Sequence, residues 1–174
     1  DKMEFKLATS FDGKAILQLM QEGIAYLKAQ GSPQWQDGFG PDEAKVMHDI
    51  SQKHCYILVN EHQQIVGTAA LIPGVDPAYT VISEGQWEGD APYLSIHRVA
   101  VNSQFRGYGY AHLLLERSLL EAQRLGYHDV RIDTHRLNTP MQKAIAKAGF
   151  QYRGVVHFPI LNGERLAYQK INTQ

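Results

Sequence analysis

One stretch of this chain restricts its fold more than any other. A strand pattern from Tyr93 to Val101 runs into the turn Gln104-Phe105-Arg106-Gly107-Tyr108-Gly109, which opens a helix expected over 106–125. Ala111, Leu114, Leu115, Leu119, Ala122 and Leu125 recur at helical spacing and form one apolar face. Gly126 stops the helix as a C-terminal glycine should, and a second strand pattern follows at 128–133. A strand, a helix and a strand in such close succession pair in parallel with a right-handed crossover. The chain is therefore α/β.

The flanking segments extend that unit. Phe5 to Ala8 reads as a first strand, and Ser10 or Asp12 can cap a helix carrying Ile16, Leu19, Met20, Ile24 and Leu27. A second helix runs from Pro41 to about Lys53. Residues 55–60 and 64–71 form a hairpin, and 73–92 is a long irregular stretch of the kind that is usually functional or partly disordered. Asn138 caps a helix ending at Gly149, and strands follow at 150–158 and 164–171. The expected architecture is one mixed sheet of six to seven strands with helices on both faces, in a single domain over residues 3–173. Asp1 and Lys2 precede Met3, which is read as the natural start, and are set aside.

Composition narrows the function. Of 174 residues, 44% are hydrophobic and 20% charged, enough apolar matter for a packed core. The net charge of −1 supplies no field to attract nucleic acid or an acidic membrane, and no basic stripe appears. The single Cys55 lies in an apolar run, which excludes a disulfide framework and fits a reducing compartment. No run approaches the roughly 20 apolar residues of a membrane span, and no signal peptide is visible, so a cytoplasmic protein is expected. No metal site is expected, because no His-Glu-x-x-His, Cys-x-x-Cys or carboxylate cluster is present.

The central turn is a candidate anion site. The first N–H groups of a helix lack partners within it and carry partial positive charge. Phosphate fits there, and Gly107 and Gly109 let backbone approach closely while Arg106 adds a cation. A dinucleotide fingerprint would need glycine where His112 stands, and no P-loop lysine follows. Two glycines can also do no more than let a helix pack on a strand.

Several residues in order resemble the GCN5-related N-acetyltransferase (GNAT) superfamily. Gln104, Gly107 and Gly109 match its Gln/Arg-x-x-Gly-x-Gly/Ala turn, Val99-Ala100-Val101 resembles the strand end before that turn, and Asn138 with Gly149-Phe150 matches a later segment. The resemblance is specific over 94–150 and covers roughly 5–171 by element order. It implies a GNAT fold with a splay between the strands at 94–101 and 128–133, where the pantetheine arm of acetyl-coenzyme A (acetyl-CoA) lies. Val99, Ala100 and Val101 would pair with that arm through their backbone. Gln104, Arg106, Gly107, Tyr108, Gly109, Tyr110 and Ala111 would hold the pyrophosphate, and Asn138 would contact the arm or simply cap its helix.

The implied reaction is direct attack of an amine on the thioester. Many members carry a tyrosine seven residues after the asparagine as general acid; that position is Ile145, which cannot donate a proton. Tyr152 is the nearest tyrosine in sequence. For a base, His97 on the strand beside the thioester comes first and Glu84 from the long loop second. Trp35, Phe39, Tyr79 and Trp87, from the two long loops, are candidates for an amine pocket. His135, just past a parallel strand's carboxyl end, can contact either ligand or only shape its turn. A non-catalytic acyl-CoA-binding sensor or assembly subunit is the competing function. A homodimer is a further expectation, because the family often forms dimers.

Overall fold

The computed structural model describes residues 2–172; Asp1 and the expected domain limit at Thr173 lie outside them. The elements run β1 (Glu4–Leu7), α1 (Gly13–Ala29), α2 (Glu43–Ser51), β2 (Cys55–Val59), β3 (Ile65–Pro73), β4 (Tyr93–Val101), α3 (Tyr110–Arg124), β5 (Asp129–Thr134), α4 (Thr139–Lys147), β6 (Gln151–His157) and β7 (Glu164–Ile171). Seven strands form one sheet in the order β1-β2-β3-β4-β5-β7-β6. All neighbours are antiparallel except β4 and β5, which are parallel.

Strand alternation divides the core between the two faces. In β2, Tyr56 and Leu58 join Leu114 and Leu115 of α3 and Ile145 of α4. Cys55, Ile57 and Val59 join Ile16, Leu19 and Met20 of α1 and Val46 and Ile50 of α2. Helices thus cover both faces, as the sequence implies. Leu114 and Ile145 are fully buried, worth roughly 1.5–3 kcal/mol each. At Gly67 of β3 a Cβ would meet Leu114 Cδ1 at 2.6 Å, so that glycine allows α3 to seat closely on the sheet.

The 74–92 segment is packed down rather than loose. Asp76 caps a 3-10 turn at Pro77–Tyr79, its Oδ1 accepting from Ala78 N–H at 2.9 Å. Trp87 Nε1 donates to the Tyr79 carbonyl at 2.8 Å, and Ser83 exchanges backbone bonds of 2.8 Å with Val155 of β6. Tyr79 is buried with Tyr93, Val156 and Ala167 beneath this loop.

The feature that opens a site is the parting of β4 from β5. Their pairing runs from Tyr93–Asp129 to Ile96–Ile132 and stops, although β4 continues to Val101. At the same level β4 carries one extra residue against β3: Thr68 pairs with Ala100, whereas Ala70 pairs with His97. Such a bulge bends its strand. Arg98 sits in it with φ 52°, a left-handed conformation uncommon outside glycine. A bidentate ion pair from Arg98 to Asp49 of α2 holds it, with Nε–Oδ2 at 2.5 Å and Nη2–Oδ1 at 2.9 Å.

One boundary differs with consequence. The helix after the turn starts at Tyr110, not at 106. Gly107 and Gly109 have φ of 87° and 80°, which a right-handed helix cannot contain, so residues 106–109 form a loop ahead of the helix.

Candidate active site

A cavity of about 530 Å³ opens where β4 and β5 part, within the range of small-molecule sites. Val99, Ala100 and Val101 of β4 line it, as do Arg106, Gly107, Gly109, Tyr110 and Ala111 of the turn and α3. A Cβ built on Gly107 or Gly109 would meet no atom within 4 Å. These glycines therefore do not serve helix packing, in contrast to Gly67. They supply left-handed backbone beside open space. Arg106 stacks over the Tyr26 ring at 4.2 Å and donates from Nη2 to the Glu22 carbonyl at 3.3 Å, which ties the turn to α1. Asn138 both lines the cavity and caps α4, accepting from Met141 N–H at 3.3 Å. Gln104 is exposed, its backbone N–H bound to Asn102 Oδ1, and does not line the cavity. Tyr108 is exposed as well and only flanks the turn, tilted against Phe105 and Tyr110.

The other wall is polar. His97 lines the cavity, and its Nε2 lies 2.7 Å from Asp76 Oδ2. Burial alone would raise the Asp76 carboxyl, but the His97 bond and charge, with the Ala78 N–H and Arg98, outweigh it and hold the carboxyl below its ordinary value. An ionised carboxylate only accepts, so Nε2 carries the proton that faces it, and in the neutral ring the lone pair is on Nδ1. The Tyr79 ring stands 5.9 Å from that imidazole. Tyr79 Oη donates to Asp133 Oδ2 at 2.5 Å. Asp133 lines the cavity at the end of β5, and burial raises its carboxyl despite His97, Tyr79 and Arg165 nearby. Burial likewise drives the Tyr79 hydroxyl well above its usual value.

Several expected site residues lie elsewhere. Glu84 is exposed in a left-handed turn (φ 56°) and does not line the cavity, because the Ser83–Val155 bridge pins its segment onto β6. Tyr152 is half exposed on the edge strand β6, edge-on to Tyr168, and also lies outside the cavity. Trp87 serves the packing of a buried cation: Arg131, bonded to Asp129, lies between its ring at 4.4 Å and that of Tyr93 at 3.8 Å. Tyr79 lies behind the cavity wall rather than in it. His135 shapes its turn, its Nδ1 accepting from Leu137 N–H at 3.0 Å, while burial lowers its pKa. Trp35 and Phe39 do line the cavity. Cys55 is buried, and desolvation pushes its thiol up to about 11, which leaves it unreactive.

The residues that sequence reasoning missed are Asp76, Asp133, Arg98 with its partner Asp49, and Arg165. Each is brought to the site from a different element. Only Asp133, at the carboxyl end of a parallel strand, carried a positional signal.

Comparisons with known proteins place this geometry in a family. The model of the Acetyltransferase (GNAT) family matches residues 18–150, and the chain belongs to that family. It is similar to a crystal structure of a GNAT-family acetyltransferase from Streptococcus agalactiae 2603, with 35% identity, coverage of 99% of this chain and 96% of that one, and a TM-score of 0.89. A GNAT-family acetyltransferase from Listeria monocytogenes 4b F2365 shares the fold at 21% identity, 97% and 94% coverage and a TM-score of 0.75. So does a chain of the NatC complex bound to Gag peptide and CoA, at 16% identity, 99% and 100% coverage and a TM-score of 0.69. No curated protein sequence matches. Among the described residues no helix is long and apolar enough to cross a membrane.

Proposed function

We propose that this chain, acting as a single domain over residues 3–173, transfers an acetyl group from acetyl-CoA to a primary amine within a ternary complex. The observation that carries the reading is the cavity between β4 and β5, with left-handed Gly107 and Gly109 opening onto free space at one end and His97 on its wall. The backbone of Val99, Ala100 and Val101 offers the strand edge that β5 leaves unpaired, a natural partner for the amide-bearing arm of the cofactor. The amides of residues 106–111 form the anion cradle, with the positive end of α3 behind them. Acetyl-CoA supplies the thioester.

An amine attacks only when neutral, and a lysine-like amine has a reference pKa of about 10.4. His97 is the group for that proton: its Nδ1 lone pair accepts while Asp76 holds the ring and favours the charged form that results. Ile145 is fully buried in the core beside α3 and has no proton to give. Protonation of the departing thiolate falls to solvent or to another group.

The missing tyrosine also supports a second reading, an acyl-CoA-binding sensor without turnover. Incubation with acetyl-CoA and a broad amine panel separates the two. Release of free thiol that depends on the amine is expected. Tight CoA binding with no thiol release across the panel would favour the sensor.

A further inference from the structure

The cavity contains one cation whose placement the transfer reaction does not explain. Arg165, at the start of β7, lines the cavity and is 5% exposed. Its Nη1 donates to the carbonyls of Asn162 at 2.6 Å and Glu164 at 2.8 Å, which fixes one edge of the guanidinium. The turn that supplies the Asn162 carbonyl is tight: Phe158 N–H bonds Gly163 O at 2.8 Å, and a Cβ on Gly163 would meet Phe158 O at 2.2 Å. The other edge, Nε and Nη2, has no hydrogen-bond partner among the described residues, the guanidinium otherwise lying only 5.8 Å over the Phe158 ring, and neither atom is fully buried. No carboxylate among the described residues forms an ion pair with Arg165, whereas Arg98 in the same cavity is closed off by Asp49.

Buried charges are expected to be paired. A guanidinium clamped on one edge and free on the other is a fork prepared for a carboxylate. The cofactor's diphosphate is a poor candidate for that fork. The glycine turn follows β4, and β7 lies two strands across the sheet, about 10 Å away at the usual strand spacing. Asp133, which faces the same cavity with His97, is the acid whose charge acts on Arg165. A fixed cation beside an acid and a base is the complement of a molecule carrying both a carboxylate and an amine.

Building on the acetyltransferase reading, we propose that the acceptor is a free amino acid or a close analogue, its carboxylate held by the Nε/Nη2 edge of Arg165 and its amine presented to His97. Free L-amino acids, their carboxamides and the matching decarboxylated amines would be assayed side by side for thiol release from acetyl-CoA. CoA binding would be measured by calorimetry alongside. At least one amino acid should exceed its own carboxamide in kcat/KM by about ten- to hundredfold, the weight of a charged hydrogen-bonded pair. In Arg165→Met that ratio should collapse toward one, and in Arg165→Lys it should fall part of the way. If Arg165→Met does not fold, as judged by circular dichroism, the wild-type ratio decides alone.

Carboxamides or decarboxylated amines acetylated as well as the acids would overturn the inference and leave the transferase reading standing. So would CoA binding with no amino acid acetylated, or a folded Arg165→Met that loses CoA affinity, since the cation would then serve the cofactor. Failure of the wild-type protein to bind CoA at all would instead remove the reading beneath it.

Discussion

The two walls of the cavity are built in opposite ways. The glycine turn is local: six consecutive residues fix its conformation, and its chemistry lies in backbone amides. The facing wall is assembled from afar. Asp76 comes from a loop, His97 from β4, Asp133 from the end of β5 and Arg165 from the start of β7. A backbone site tolerates change in its side chains but not in its φ angles. A side-chain cluster behaves the other way, since each member depends on the burial and charge of the rest. The contrast predicts which substitutions will harm cofactor binding and which will harm turnover.

The largest effect is expected on the side-chain wall. His97→Ala should lower kcat by about 10²- to 10⁴-fold, the range of a positioned general base, while CoA affinity changes little. Steady-state rates beside calorimetry would check this, and a parallel loss of both would erase the distinction between the walls. On the backbone wall, Gly109→Glu should reverse the pattern. It forces a side chain onto φ 80°, a strain of roughly 1–2 kcal/mol, and puts a negative charge in the anion cradle. CoA affinity should fall about hundredfold or more while far-ultraviolet circular dichroism stays that of the wild type.

A smaller effect tests the coupling inside the cluster. Asp76→Asn keeps the shape but removes the charge that fixes the His97 tautomer, so kcat should drop about ten- to hundredfold with CoA affinity intact. An unchanged rate would make the 2.7 Å contact merely structural.

The smallest is a gain in stability. Burial raises the Asp133 carboxyl, so the folded state holds that proton more tightly than the unfolded chain does. The resulting stabilisation is complete below the ordinary value of 3.8 and is lost as pH rises through the raised value. At neutral pH the group therefore opposes folding. Asp133→Asn, which can still accept from Tyr79, should raise Tm at pH 7 by about 2–4 °C, the shift expected per kcal/mol for a chain of this size. The gain should shrink as pH approaches 3.8, and a lower Tm at pH 7 would contradict the assigned direction.

The same contrast explains what could be read from the sequence. Element order follows from periodicity: the hairpin, the strand-helix-strand unit and the last two strands all form as the apolar spacing implies. The turn was legible because glycine reports backbone directly, although the helix start moved to Tyr110 once two left-handed residues preceded it. The polar cluster was not legible. Nothing near Asp76 in sequence indicates that a loop will fold back onto β4, and Trp87 and Tyr79 read as pocket aromatics until Arg131 and Asp133 gave them buried partners. Glu84 and Tyr152 were chosen by type and neighbourhood, and the Ser83–Val155 bridge and the edge position of β6 carry them away from the cavity.

A crystal structure of the protein with bound CoA tests the central claim most directly. The diphosphate should rest on the amides of residues 106–111 and the arm should run along Val99 to Val101, with the thiol end toward His97. CoA bound with its diphosphate away from that loop, or the gap between β4 and β5 left empty at saturating CoA, would contradict the account.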